Sequence, residues 1–358
     1  MKKYLYTLAA LLLITISAKA QKLTIVDNDG NGIHMVTVLS EDGNMIGVTD
    51  LGGTLLDVKG AAKVLIKHVA YKSKLLDMSA LQAGKVTMED LDYNLAEIVV
   101  KPKPLIYVET YYRVYGFANN SLRYYLAGIM PNAYDVEKKK AKYGSYMQSY
   151  GDFGISRGAT ITWGARAQTL KPGEIHNSGA LGLVKSGKRR DYDFVTLTEE
   201  GKGRLKVSNP EGTVGFIETD KDEIRMTIDA AKIQMYRNKA LGQDWQLKGR
   251  EKAEYDYQYS EIFNLDDDGD ATIADFVMSS HHWEWNGSKG RMKFIIETYA
   301  TEHAYIDAKD FKEKKKELKK KYVAPMKLDA LEAYATSHGI PALTPMIRRA
   351  IEGLKKQK

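Results

Sequence analysis

Between Lys22 and Val100 short runs of β-forming residues alternate with turn-forming clusters at intervals of about ten residues. Leu23-Thr24-Ile25-Val26 leads into Asp27-Asn28-Asp29-Gly30-Asn31-Gly32, and Met35-Val36-Thr37-Val38-Leu39 follows. Next come the turn Glu41-Asp42-Gly43-Asn44, the run Met45-Ile46-Gly47-Val48-Thr49, a turn at Gly52-Gly53, and Ala62-Lys63-Val64-Leu65-Ile66. Short strands at that spacing, broken by Asp, Asn and Gly, predict a small antiparallel sandwich.

The stretch resembles the carboxypeptidase regulatory-like domain, a transthyretin-like seven-strand sandwich common in secreted and outer-membrane proteins of Bacteroidetes-type bacteria. The likeness rests on Val26-Asp27-x-x-Gly30 with Ile33, on Val48-Thr49-Asp50-x-Gly52-x-Thr54-Leu55, and on Val64-Leu65-Ile66 with Ala70-Tyr71. The run Leu95-Ala96-Glu97-Ile98-Val99-Val100 closes it. The family usually has Gly-Tyr where this chain has Ala70-Tyr71. In that family the domain is a non-catalytic accessory, so the resemblance implies a scaffold and an envelope location and names no reaction.

The first twenty residues read as an export signal. Lys2 and Lys3 precede an apolar run from Leu5 to Ile16, and Ala18-Lys19-Ala20 forms a small-x-small cleavage site before Gln21. Cleavage there leaves 338 residues and lowers the net charge from +7 to +4. With no cysteine in the chain, no disulfide contributes to stability, and packing has to supply it. Residues 309–321 hold eight lysines against three acids, so the rest of the mature chain is close to neutral. Nucleic acid as a partner is excluded on that balance, since a covering surface needs basic charge spread among aromatics. The lysine run itself reads as a solvated helix face, with contact to anionic envelope surfaces as its functional alternative.

Lys101-Pro102-Lys103-Pro104 cannot extend a central strand, because neither proline donates a ladder hydrogen bond. A domain boundary is therefore expected there, giving a signal at 1–20, a sandwich at 21–101, an antiparallel β-rich domain at 102–307 and helices at 308–358. Residues 105–150 carry ten of the 23 tyrosines. Tyr111 to Phe117, a turn at Asn119-Asn120 and Leu122 to Leu126 predict a hairpin. Further on, Ile224, Met226 and Ile228, then Tyr255, Tyr257 and Tyr259, then Met292, Phe294 and Ile296 alternate with polar neighbours. Such period-two patterning predicts a large antiparallel sheet with one face on a core. Its strands are too few, and its end too basic and helical, for a transmembrane barrel. Beyond Tyr322 the period becomes helical: Leu328, Leu331 and Ala335 share a face that Gly339 and Pro341 terminate. Thr344 then caps a second helix with Pro345 at its first position. The expected fold is thus mainly β, a transthyretin-like sandwich followed by a larger antiparallel β domain and short C-terminal helices.

Four stretches imitate catalytic or ligand motifs. Gly154-Ile155-Ser156-Arg157-Gly158 matches a nucleophile elbow, but strand-like residues follow where the elbow needs a helix. Gly182 to Lys188 copies most of a phosphate loop and puts Arg189 where a hydroxyl must ligate magnesium. Asp266 to Asp270 begins like a calcium loop, yet has Ala271 and Val277 in place of the required glycine and glutamate, and Asp27 to Gly32 fails similarly. His282 and Glu284 share a strand face, and His303 on a neighbouring strand completes a candidate zinc set.

The resulting expectation is an exported, periplasmic or outer-membrane-associated binding or scaffold protein with no cofactor and no metal. It recognises an envelope protein or glycan through exposed aromatics, for which Tyr112, Tyr124 and Trp285 are the candidates. An envelope hydrolase using Ser156 or His282, Glu284 and His303, and a half-barrel holding an apolar ligand such as lipid, are the alternatives.

Overall fold

The computed structural model describes residues 22–56, 58, 61–80, 84–93, 103–135, 140–143, 148–153, 194–201, 203–220, 222–242, 256–265, 271, 273–287, 290–321 and 326–354. Seven strands open the chain: β1 (Leu23–Val26), β2 (Thr37–Ser40), β3 (Met45–Val48), β4 (Thr54–Leu55), β5 (Lys63–His68), β6 (Tyr71–Asp77) and β7 (Lys85–Thr87). They form a three-stranded sheet ordered β4-β1-β7 and a four-stranded sheet ordered β3-β2-β5-β6. Leu23, Ile25, Val36, Val38, Val64, Ile66 and Val86 are buried in one cluster, each aliphatic contributing about 1.5–3 kcal/mol on leaving water. One pairing departs from the expected antiparallel pattern: β1 and β7 run parallel. No hairpin joins the first strand to the last, so no turn imposes their direction.

The turn aspartates hold the loops by capping their own backbones. Asp27 Oδ1 accepts from the amides of Asp29 (3.0 Å) and Asn31 (2.8 Å), and Asp50 Oδ1 from those of Gly52 (2.9 Å) and Thr54 (2.8 Å). Gly53 has φ +72°, and a Cβ there would lie 2.2 Å from the Ile25 carbonyl oxygen. Gly53→Ala is therefore expected to lower stability by about 2–4 kcal/mol, read as a fall in the urea midpoint without a change in slope.

Behind the sandwich comes an eleven-stranded sheet. Its strands are β8 (Leu105–Ala118), β9 (Ser121–Asp135), β10 (Lys140–Tyr143), β11 (Gln148–Phe153), β12 (Thr196–Gly201) and β13 (Arg204–Asn209). β14 (Gly212–Thr219), β15 (Glu223–Asp229), β16 (Asp256–Asn264), β17 (Phe276–Gly287) and β18 (Gly290–Ile306) complete it. The order is β10-β9-β8-β18-β17-β16-β15-β14-β13-β12, with β11 also on β9, and every pairing is antiparallel. Among the described strands no pairing joins β10 to β12. The tyrosine hairpin is β8–β9, and its two-residue turn puts Asn119 and Asn120 at φ 48° and 68°, the backbone a twisted hairpin prefers. Helix α1 (Ala230–Ala240) follows β15, capped by Asp229, which accepts from the Lys232 amide. Three helices, α2 (Ala308–Lys321), α3 (Leu328–Ser337) and α4 (Pro345–Leu354), end the chain. Gly339 stops α3 at φ +76°, and the Thr344 hydroxyl caps the Ile347 amide of α4.

Residues opposite one another in register share a face, so the sheet can be read in rows. Tyr111, Tyr115, Tyr125, Ile295 and Tyr299 lie on the face covered by the sandwich, α3 and α4, and a single apolar cluster runs through all of them. Tyr112, Val114, Tyr124, Phe294 and Ile296 lie on the other face, in a cluster of their own. The protein is mainly β, with the predicted sandwich, antiparallel sheet and short helices. No helix among the described residues is long and apolar enough to cross a membrane.

Candidate functional site

The sandwich sits on the sheet through charged side chains as well as apolar ones. Lys67 of β5, half-buried, pairs with the buried Glu297 of β18, and its ammonium lies 5.3 Å from the centre of the Tyr115 ring. Arg225 of β15 donates to the Tyr71 hydroxyl and pairs with Glu223 (3.1 Å) and Asp90 (3.5 Å). Arg204 of β13 donates to Asn31 Oδ1 (3.1 Å), pairs with Glu218 (3.2 Å) and lies 4.2 Å above the Phe216 ring. The Tyr93 hydroxyl donates to the Ala300 carbonyl.

At this junction is a cleft holding a cavity of about 30 Å³, lined among others by His34, His68, Tyr71, Arg204, Phe216 and Arg225. That is room for about two waters, or for one polar group of a ligand.

His34 is positioned by Thr49, which is 1% exposed. The Thr49 hydroxyl donates to the Ile33 carbonyl (2.7 Å) and accepts from the Val36 amide (2.9 Å). The Thr49 carbonyl accepts from the Met35 amide (3.2 Å) and from His34 Nδ1 (3.1 Å). This bracing holds Met35 at φ +60°, a left-handed backbone costly for an unbranched apolar residue. The sequence pattern puts Met35 inside the second strand. The structure instead starts β2 at Thr37 and uses Met35 to turn His34 toward the sheet.

The tautomers follow from the partners. A carbonyl can only accept, so His34 carries its proton on Nδ1 and leaves a lone pair on Nε2. His68 Nδ1 accepts from the Ala70 amide (3.2 Å), so its proton is on Nε2. Both residues are buried, and among the described residues the Nε2 of each has no hydrogen-bond partner. Burial pushes His34 down, against the backbone of Asp50, the charge of Asp229 and the carbonyl of Thr49. It pushes His68 down to about 3, with Arg225, His34 and Lys67 acting in the same direction. Two neutral imidazoles thus line one small cavity, His68 with a proton on Nε2 and His34 with a lone pair there.

A second polar group lies on the same face of the sheet. His282 opposes Gln258, and Glu284 opposes both Asp256 and Lys293. His282 Nε2 is 3.7 Å from Glu284 Oε2, and Lys293 Nζ is 3.5 Å from that oxygen, while Arg291 pairs with Glu284 Oε1. Burial moves the flanking groups in opposite directions: Asp256 up to about 6, reinforced by Asp229, and Lys293 down to about 8, reinforced by Arg291. His282 is pushed down to about 3, first by burial and then by Lys293. His303 does not join them. A bulge between Ala300 and Glu302 places it opposite Val108, on the other face. The expected His282, Glu284 and His303 set is therefore not assembled, because the extra residue changes which side His303 takes. Among the described residues no group of three or more His, Asp or Glu is arranged to hold a metal.

The aromatic candidates are also relocated. Tyr112 is 0% exposed and Tyr124 2%, the latter edge-on to Phe294 with ring centres 5.8 Å apart. Both are core residues, because the face they occupy carries Val114, Met130 and Ile296 and rings there leave water together. Trp285 pairs with Met292 through its backbone, and its side chain lies outside the described residues. Ser156, Gly182 to Lys188 and Asp266 to Asp270 are likewise outside them.

No protein-family model matches the chain, and no curated protein is similar to it in sequence. Of the cleft residues His34, His68, Tyr71, Arg204 and Arg225, the sequence singles out only Tyr71, as part of the resemblance, and gives no functional signal at the other four. They share no motif and come together across more than 130 residues of chain.

Proposed function

We infer that this is an exported cell-envelope binding protein. Its carboxypeptidase regulatory-like sandwich forms one wall of a polar cleft and the large sheet forms the other. A protein or glycan partner places a polar group between them. The observation that carries the reading is a pair of buried histidines lining one cavity, whose Nε2 atoms have no hydrogen-bond partner among the described residues. Buried polar atoms are rarely left unpaired without a water, an ion or a ligand to meet them.

The chemistry of the cleft favours a hydroxyl. A hydroxyl accepts from His68 Nε2–H and donates to the His34 Nε2 lone pair, which neither a carboxylate nor an ammonium does alone. Arg204 stacked on Phe216 adds a flat polar-aromatic wall of the kind that seats a sugar or a serine- or threonine-bearing peptide. Binding needs no perturbed acid or base, which agrees with the non-catalytic role the resemblance implies.

The test is retention on envelope polysaccharide and on envelope protein, each prepared from the native host and immobilised separately. Wild type is compared with His68→Ala, His34→Ala and Arg204→Ala. Cleft variants that keep the wild-type circular dichroism should lose retention by about tenfold or more on one of the two matrices. Unchanged retention in all three variants would remove the cleft from the argument. Intact mass of the native protein checks the export reading, with Gln21 expected as the first residue.

A further inference from the structure

Helix α2 carries the lysine run, and its two faces have different fates. Phe311 and Leu318 are buried, with the Phe311 ring 6.1 Å from that of Tyr107 on β8. Lys103 reaches the first turn of the helix to pair with Asp307 (3.3 Å) and Asp310 (3.2 Å). Lys314 pairs with Glu302 of β18 and lies 4.8 Å over the Tyr107 ring. These contacts fix the rotation of the helix on the sheet.

Lys309, Lys312, Lys316 and Lys320 are all exposed, and their spacing of three, four and four residues puts them in a single stripe. That stripe lies opposite Phe311 and Leu318 and runs for roughly 16 Å. None of the four makes an ion pair among the described residues. The acids of the helix offset it only in part. Asp310 is taken by Lys103, Glu313 is four residues on from Lys309 and three before Lys316, and Glu317 is three before Lys320, so two exposed carboxylates border four exposed lysines.

Four exposed lysines against two exposed glutamates leave this face with a net positive charge along its length. The arrangement has a physical use when a surface of negative charge lies against it.

We propose that this face of α2 docks the protein on an anionic lipid surface of the cell envelope. The lysines rest at the phosphate level and no apolar side chain is inserted. Exposed α2 residues near the stripe are charged, so binding is electrostatic and reversible, and a second contact such as the cleft's partner has to complete anchoring. Docking through α2 also fixes which way the cleft faces, because the helix is pinned to the sheet that forms the cleft's far wall.

The experiment is co-sedimentation of the mature chain with vesicles of one-third phosphatidylglycerol in phosphatidylcholine, against vesicles of phosphatidylcholine alone. Each lysine near such a surface contributes about fivefold in partitioning. The fourfold variant Lys309→Gln, Lys312→Gln, Lys316→Gln, Lys320→Gln should therefore lose binding by on the order of several hundredfold. Raising salt from 0.05 to about 0.5 M should abolish wild-type binding. A second fourfold variant removes Lys63, Lys72, Lys74 and Lys85, exposed on the sandwich. It has the same net charge and should still sediment with the vesicles. Equal losses in the two variants would show that net charge acts rather than this face, and would overturn the proposal. So would equal sedimentation with neutral vesicles, or capture by a soluble sulfated polysaccharide with no vesicle binding. Circular dichroism and the thermal midpoint of each variant separate loss of the face from loss of fold.

Discussion

Glu332→Ala is expected to lower the unfolding free energy by about 3–5 kcal/mol, because it strands a buried guanidinium. Arg113 sits on β8 with its side chain 1% exposed. Its Nη2 donates to both Glu332 oxygens, at 3.0 and 2.8 Å. Nη1 donates to the Pro341 carbonyl (2.9 Å) and Nε to the Tyr111 hydroxyl (3.2 Å). Glu332 also accepts from the Tyr111 hydroxyl (3.0 Å) and from the Leu343 amide (2.9 Å). One carboxylate thereby fixes α3 and the segment between α3 and α4 to the sheet. Alanine would leave Arg113 with a carbonyl and a phenol but no counter-charge, and would leave the Leu343 amide unpaired.

The effect should be local as well as global, with faster hydrogen exchange and proteolysis across residues 326–354 than in the sandwich. A double variant, Arg113→Met with Glu332→Leu, distinguishes a charge that must be compensated from a geometry that must be kept. Apolar residues of similar volume should recover most of the loss. A single-variant cost below about 1 kcal/mol would mean that water reaches the pair in solution.

Arg113 also shows where the sequence was legible and where it was not. Period-two alternation located β15, β16 and β18, because a sheet with both faces covered still needs one residue in two on each side. The Asn119-Asn120 turn was readable because few residues accept two successive positive φ values. Thr344-Pro345 and Gly339 likewise gave the helix ends. All of these signals are local.

Long-range pairing is not local. Nothing near Arg113 indicates that Glu332, some 220 residues later, will meet it, or that Lys67 will reach Glu297. The tyrosines were readable as sheet residues, but whether Tyr112 and Tyr124 face water depends on what covers the sheet. One register bulge moved His303 to the other face. The cleft failed for both reasons, since His34 depends on a strained turn at Met35 and its opposite wall comes from β13 to β15. The His282 and Glu284 pair was found from spacing alone because both residues lie on one strand.

Acid should destabilise this protein strongly, and the buried histidines give the reason. His68 and His282 are each pushed down to about 3, and His303 to about 4, all chiefly by burial. The folded state keeps these rings neutral, while the unfolded chain protonates them near pH 6.5. Their contribution to stability is therefore complete above pH 6.5 and is lost as pH falls toward the folded values. Each histidine costs up to about 1.4 kcal/mol per pH unit over that range. Between pH 6.5 and 4.5 His68 and His282 together remove roughly 5 kcal/mol, a large part of the 5–15 kcal/mol that holds a typical domain. His34 adds to the loss, being lowered by burial as well.

Two carboxyls work against it. Asp256 is raised to about 6 and Glu218 is raised, both by burial first, so the folded state takes their protons earlier and gains stability as pH falls. Asp256 is only half-buried, and its offset is smaller than the sum for the histidines. The net slope remains downward. Urea midpoints at pH 7.5, 6.5, 5.5 and 4.5 measure it directly. In His68→Gln the curve should start lower, from lost packing, and then fall less steeply below pH 6.5 than wild type. A stability that stays level or rises from pH 6.5 to 4.5 would show that His68 and His282 are solvated, and that the sandwich does not seal the face of the sheet on which they lie.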